Sequence, residues 1–340
     1  MDLTTHYMGL RLRNPLVASA SPLNGDLDQL CRLENAGAGA VVLPSIFEEQ
    51  ILAERDEFEH RTEGTADGCA EALSFFPGHG GCGFGPERYL DMVRRAKEAL
   101  GIPVIASLNC VSQSGWVDYA RGLQDAGADA IELNIYFVPT DLAMAGRDVE
   151  QRHLDILAAV KGAVTIPVAV KIGPCFSAPG AMARALAEAG ADALVLFNRI
   201  YPPDIDVATL RLSLDLELST PAEMRLPLLW VAVLHGRIPA ALAASTGVES
   251  AEDVFKYLLA GADVVMTTAA LLRHGPEHMR TLIDGLTALL SARGIDSLGD
   301  IRGRMSQLHL KDAMAFERAA YRHMLQSYRI PHKYAAGGKP

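Results

Sequence analysis

The sequence predicts an α/β chain folded as a (β/α)8 barrel. Two observations carry this. Apolar runs begin in two ways that alternate strictly, and helical patterns lie between them. The first kind of start is a proline: Asn14-Pro15-Leu16-Val17, Ile102-Pro103-Val104-Ile105, Ile166-Pro167-Val168-Ala169 and Ile238-Pro239-Ala240-Ala241. The second is Ala-Gly-Ala, at Ala36-Gly37-Ala38, Ala126-Gly127-Ala128, Ala189-Gly190-Ala191 and Ala260-Gly261-Ala262, each running on into a short apolar stretch.

Proline lacks an N–H and has a fixed φ, so it belongs at the first residue of a strand. Glycine takes the left-handed conformation that ends a helix at no steric cost, and a tight turn then feeds the next strand. Runs of four to seven residues are too short for buried helices. Helical patterns follow at Pro86–Leu100, Trp116–Ala126, Val149–Val160 and Ala251–Leu259. Strand alternating with helix implies a parallel sheet with right-handed crossovers. Eight such units suit a closed barrel. A doubly wound sheet is the alternative, but no Gly-x-Gly-x-x-Gly turn follows the first strand.

Two stretches exceed ordinary barrel loops. Ser45–Gly85 follows strand 2, and its first part, Phe47–Arg61, reads as a helix with a solvated acidic face. Tyr201–Leu226 follows strand 6, and apolar and polar residues alternate over Asp206–Leu218, which predicts an inserted hairpin. The barrel domain is expected to span residues 1–305. Residues 306–340 form a polar, basic extension that is expected to be partly disordered, with a frayed end at Gly337–Pro340.

The chain has 340 residues, 49% of them hydrophobic, and a formal net charge of −10. That charge argues against nucleic acid as a partner. Cys31, Cys69, Cys82, Cys110 and Cys175 show no Cys-x-x-Cys spacing, which fits reduced thiols in a cytoplasmic protein. No apolar run approaches the roughly 20 residues of a membrane span, and Met1–Pro15 has no signal-peptide core.

In this architecture the active site lies at the C-terminal ends of the strands. Those ends are polar here: Ser19 and Ser21 on strand 1, Ser107 and Asn109 on strand 3, Glu132 and Asn134 on strand 4, Lys171 on strand 5, and Asn198 on strand 6. Such groups at an apolar barrel mouth are costly unless they are paired or face a ligand. Lys171 can act as a fixed cation against a ring or anion, form a Schiff base, or pair with Glu132 on the neighbouring strand. The loops after strands 7 and 8, Ala244-Ser245-Thr246-Gly247-Val248 and Thr267-Thr268-Ala269-Ala270, are rich in small residues and hydroxyls. That suits a phosphate, and equally suits ordinary helix capping. No histidines pair at metal-ligand spacing on a strand end, and no metal is expected.

These strand ends resemble the dihydroorotate dehydrogenase family of FMN-dependent barrels, over about residues 1–305. The whole-chain likeness is to a bacterial dihydroorotate dehydrogenase-like subgroup. Asn14–Ser19 resembles the family's first strand, so Ala18 and Ser19 would lie against a flavin. Glu132-Leu133-Asn134, Val170-Lys171-Ile172 and Leu196-Phe197-Asn198 resemble the motifs of strands 4, 5 and 6. Leu218-Ser219-Thr220 resembles an element after the hairpin. Thr246-Gly247-Val248 and Thr268-Ala269-Ala270-Leu271 resemble the two phosphate loops. The resemblance implies FMN, bound by Ala18, Ser19, Asn109, Asn134, Lys171, Asn198, Ser219, Thr220, Thr246, Gly247, Thr268 and Ala269.

The chain departs from the family at the substrate half. Pro44 stands where a strand 2 lysine is expected. Ala72–Phe76 replaces an Asn-bearing substrate loop. Ile135-Tyr136-Phe137-Val138-Pro139 replaces the Ser-Cys-Pro-Asn-like run that carries the catalytic base. Tyr136 is then the nearest replacement base, with Cys110 and Ser112 behind it. The expected activity is an FMN-dependent CH–CH oxidation of dihydroorotate or a related small substrate, in which Lys171 stabilises reduced flavin. A redox partner protein and a homodimer are the expected associations. The alternatives are a non-catalytic flavin-binding accessory subunit and a Schiff-base lyase using Lys171.

Overall fold

Each predicted start opens a strand of one closed parallel barrel. The strands are β1 (Leu16–Ala18), β2 (Ala40–Phe47), β3 (Val104–Asn109), β4 (Ala130–Asn134), β5 (Val168–Ile172), β6 (Ala193–Leu196), β7 (Ala241–Ala244) and β8 (Val264–Thr267), with sequence neighbours paired all round. The structure is a computed structural model that describes residues 1–49, 86–110, 112–310 and 318–327. The described helices that cover the barrel are α1 (Leu27–Asn35), α2 (Pro86–Ala99), α3 (Gln113–Asp125), α4 (Gly146–Lys161), α5 (Pro179–Glu188), α6 (Arg225–Leu234), α7 (Ala251–Ala260), α8 (Ala269–His274) and α9 (His278–Ser291). The fold is therefore a (β/α)8 barrel.

The two kinds of strand start fit together at the bottom of the barrel. The prolines lack a donor, but their carbonyls still serve the ladder: Pro15 accepts from Val265, Pro103 from Val41 and Pro167 from Ile131, at 2.8, 3.1 and 2.9 Å. The second motif is Ala-Gly-Ala-Asp on three of its four occurrences, and each aspartate accepts an N–H at the start of a proline-start strand. Asp129 accepts from Val104 at 2.7 Å, Asp192 from Val168 at 2.8 Å and Asp263 from Leu242 at 2.8 Å. Lys97, Lys161 and Arg302 neutralise the three carboxylates in turn. At the fourth occurrence Gly39 replaces the aspartate, because a Cβ there would lie 2.4 Å from the Asn14 carbonyl oxygen. Asn14 does the capping instead, accepting from the Leu16 N–H at 3.0 Å. The glycines of all four motifs have positive φ, from 94° to 121°.

An antiparallel hairpin, Thr5–Tyr7 paired with Leu10–Leu12, closes the bottom. It buries Tyr7 and Met8 in the barrel interior with Ala40, Ala130, Ala169, Ala193 and Ala243. Those small inward residues make room for the tyrosine ring. A larger apolar layer lies between the outer faces of the strands and the helices.

The predicted insertion after strand 6 is a hairpin, with Asp204–Asp206 paired to Arg211–Ser213. Ile205, Val207, Leu210 and Leu212 are exposed on it. The acidic stretch after strand 2 differs from expectation where it is described. Phe47 ends β2, and Glu48 is buried rather than solvated. Its carboxylate accepts from the Ser112 N–H at 2.7 Å and from the Ser112 hydroxyl, so it caps the start of α3. Residues 50–85, with the rest of that predicted helix, lie outside the described residues. The β2 ladder shifts register between Val42 and Ser45, around Pro44, which has no N–H to give.

Packing continues past residue 305. Ser306 is fully buried and the Gln307 N–H donates to Ala232 at 2.9 Å. Helix α10 (Arg318–Ser327) follows, and residues 328–340 lie outside the described residues. No helix among the described residues is long and apolar enough to cross a membrane.

Candidate active site at the barrel mouth

A cleft opens at the C-terminal ends of β1, β5, β6, β7 and β8, with an empty volume of about 770 Å3, part of it open to solvent. Of the predicted residues, Ser19, Lys171, Asn198 and Ser219 line it. So do Thr246, Gly247, Thr268 and Ala269 from the loops after β7 and β8.

The β7 loop is held in an unusual shape. Thr246 has φ 80°, and Gly247 has φ 76°. A β-branched residue is strained in that region, and such strain marks functional loops. Three contacts hold it. The Ser245 and Thr246 hydroxyls donate to the Phe197 carbonyl at 2.9 and 3.2 Å. The Tyr257 hydroxyl on α7 donates to the Thr246 carbonyl at 2.8 Å. Gly247 packs against the segment after the hairpin: a Cβ on it would lie 2.8 Å from the Thr220 carbonyl oxygen, and its N–H donates to the Ser219 hydroxyl at 3.3 Å. The backbone N–H groups of Thr246, Val248 and Thr268 donate to no other described residue. A set of free donors on one wall, with small side chains between them, is the chemistry of an anion cradle.

Lys171 lines the same cleft as these donors. It is 8% exposed, lines the cleft, and has its Nζ 3.6 Å from Glu132 Oε1. The expected pairing with Glu132 therefore exists, yet the lysine also faces the cleft. A fixed cation and an anion cradle in one cleft fit an anionic ligand such as a phosphate ester.

Other predicted residues lie behind the wall. Ala18 is buried at the end of β1, and its carbonyl accepts from Asn24 Nδ2 at 3.3 Å. Asn109 is buried at the end of β3. Asn134 supports Asn198, whose Nδ2 donates to Asn134 Oδ1 at 2.6 Å. Thr220 is exposed and starts the short 3-10 helix Pro221–Met224, where its N–H donates to Glu223 at 2.6 Å. Its place here is a cap rather than part of the cleft wall.

The predicted bases fare similarly. Tyr136 is 38% exposed, is not part of the cleft wall, and its hydroxyl oxygen accepts from the Tyr201 N–H at 3.3 Å. Cys110 is buried, and that burial, with Glu48 and Glu49 nearby, pushes its thiol far above the ordinary range, so the thiolate is suppressed. Ser112 is the N-cap of α3, accepting from the Gly115 N–H at 3.0 Å.

Two arginines that brace the cleft were not predicted, Arg199 in its lining and Arg273 behind residues 218 and 219. Arg199 directly follows Asn198, pairs with Glu223 at 2.9 Å and holds the Glu217 carbonyl. Arg273 on α8 donates to the carbonyls of Leu218 and Ser219 at 3.2 and 2.8 Å, and pairs with Glu249 at 2.5 Å. Together they tie residues 217–219 along the cleft. Position beside a strand-end asparagine was the one signal for Arg199; Arg273 sits on a helix, and nothing local points to it. Among the described residues no group of His, Cys, Asp and Glu side chains forms a metal site.

The sequence is similar to those of known proteins. A model of dihydroorotate dehydrogenase matches residues 79–290. The chain belongs to the dihydroorotate dehydrogenase family. It is 31% identical to the dihydroorotate dehydrogenase B (NAD(+)) catalytic subunit of Methanocella arvoryzae, over 80% of this chain and 87% of the relative. The protein of the same description from Methanothermobacter thermautotrophicus is 28% identical over 88% of this chain and 97% of the relative. The NAD-dependent dihydropyrimidine dehydrogenase subunit PreA of Escherichia coli is 26% identical over 89% of this chain and 76% of the relative. The chain is an oxidoreductase of this type.

Proposed function

We propose that this chain binds FMN at the barrel mouth and oxidises a CH–CH bond of a small cyclic or carboxylate substrate. The observation that carries the reading is Lys171 facing the same cleft as the strained Thr246-Gly247 loop. The family is one of flavoproteins, and its relatives act in pyrimidine chemistry by name. When bound, FMN supplies a two-electron acceptor.

The residues divide the work. The N–H groups of Thr246, Val248 and Thr268 would hold the phosphate, with Ser19 and Ala269 shaping the cradle. The Lys171 ammonium would stand against the charge that develops on the ring. Asn198, held by Asn134, would orient ring or substrate amides. Ser219 keeps the wall in place through Gly247. The ion pair of Lys171 with Glu132 suits a fixed cation beside the ring, so this reading is favoured over a Schiff-base lyase.

The substrate is the open half. Pro44 and Ile135–Pro139 replace the residues that recognise dihydroorotate in the family, and Tyr136 sits at the rim. Dihydroorotate itself is therefore expected to turn over weakly or not at all. Several relatives are named as subunits of larger enzymes, which supports a redox partner protein as the route for electrons.

The test is direct. The purified protein should be yellow and release FMN on denaturation. A colourless protein that fails to take up added FMN overturns the proposal.

A further inference from the structure

We propose that Glu132 is a positioning residue: it sets the direction of a hydrogen-bond chain beneath the cleft and so decides which amide atom faces the ligand. The chain runs from the segment after β6 across β4, β2 and β3. Asn198 Nδ2 donates to Asn134 Oδ1 at 2.6 Å, and Asn134 Nδ2 donates to Ser45 Oγ at 3.1 Å. Ser45 Oγ and Ser107 Oγ are 2.7 Å apart, and Ser107 Oγ donates to Glu132 Oε1 at 3.4 Å.

Taken alone, the hydroxyl pair could point either way. Glu132 removes the ambiguity. As the partner of the Lys171 ammonium it is a carboxylate, and a carboxylate only accepts. Ser107 has one proton and gives it to Glu132. Ser45 must then donate to Ser107, which leaves its oxygen to receive an N–H from Asn134. The Asn134 carbonyl is thereby turned to Asn198 and takes an N–H from it. The end of the chain is Asn198 Oδ1, on a residue that lines the cleft.

The cleft is thus given an acceptor from β6 and a cation from β5 by one buried carboxylate. That pair complements a ring edge in which an N–H adjoins a carbonyl. Cost supports the assignment. Glu132 is 0% exposed, and its Oε2 has no hydrogen-bond partner among the described residues. A buried carboxylate left half-satisfied is expensive, and its retention points to a role beyond packing.

The inference concerns the protein's own amides and rests on the FMN reading only for its second readout. Side-chain 15N NMR of the asparagine amides is compared for the full chain and for Ser107→Ala and Glu132→Gln, beside an FMN titration. Ser107→Ala cuts the chain from its carboxylate, and Glu132→Gln can donate as well as accept. Both should speed exchange of the Asn134 and Asn198 amide protons and weaken FMN binding by about tenfold. Ser45→Ala should do the same if Ser107→Ala does not fold. Unchanged amide signals and FMN affinity in folded variants overturn the proposal. Changed amide signals in a protein that binds no FMN keep the chain and overturn the cofactor reading instead.

Discussion

The Tyr257 hydroxyl lies 2.8 Å from the Thr246 carbonyl and 3.1 Å from that of Ser245. Tyr257 is fully buried on α7, and burial pushes its phenol far above the ordinary range, so it stays a donor. It holds a threonine at φ 80°. Replacing it with phenylalanine removes the donor and leaves buried carbonyls short of a partner. Tyr257→Phe should lose about 1–3 kcal/mol of stability and bind FMN more weakly. Urea unfolding read with a cofactor titration checks both. A wild-type midpoint would show that the carbonyls find another donor.

Asp192 offers a contrast at the far end of the barrel. Its Oδ2 accepts from the Val168 N–H at 2.8 Å and from Lys161 at 2.7 Å. Asp192→Ala leaves that N–H without its partner at the first residue of β5. The expected cost is about 1–3 kcal/mol, with cofactor affinity unchanged, because the cleft is at the opposite end. A variant that loses stability and FMN together would mean that the two ends are coupled.

These two residues also show where the sequence was readable. Pro15, Pro103, Pro167 and the Ala-Gly-Ala turns act through their own backbone, so spacing alone reveals the strands. The aspartate in the same motif was legible as a residue but not as a cap, because its partner is 21 to 25 positions away. At the mouth, strand ends marked Lys171 and Asn198, since position on a strand dictates facing. They did not mark Arg273, Tyr257 or the pairing of Ser107 with Ser45, which helix packing and strand register bring about. Glu48 misled for the same reason: an acidic run reads as a solvated face until a helix start is placed against it.

Lys171 should matter electrostatically. Lys171→Met removes the cation that faces the cleft while retaining much of the side-chain volume. Bound FMN should then be harder to reduce, because the negative charge of the reduced form loses its counter-ion. A loss of about 1.4 kcal/mol in that differential interaction corresponds to about 30 mV for a two-electron couple. Spectroelectrochemistry would show the potential moving negative; no movement would remove Lys171 from its assigned role.

Tyr136 should matter little. Its hydroxyl is outside the cleft wall and accepts from the Tyr201 N–H at 3.3 Å. Tyr136→Phe should therefore keep the rate of flavin reduction by substrate within about threefold, less than the loss of a general base causes. Stopped-flow reduction over a range of pH is the measurement. A drop of about a hundredfold, with loss of one limb of the pH profile, would instead restore Tyr136 as the proton acceptor.

Asp253 sets an acid limit on the β7 loop. Burial raises its carboxyl, but hydrogen bonds from Lys256, from the Ser250 side chain and from the Ser250 and Glu249 N–H groups outweigh that, and the net shift is downward. A depressed acid stabilises the fold when it is ionised. Its contribution is complete above the unfolded value of about 3.9 and is lost as pH falls through the lower folded value. Asp253→Asn should therefore be less stable than the wild type at neutral pH, with the gap closing only below about pH 4. Unfolding midpoints for both proteins across that range decide the matter. A gap that stays constant into strong acid would show that the cap works through shape rather than charge.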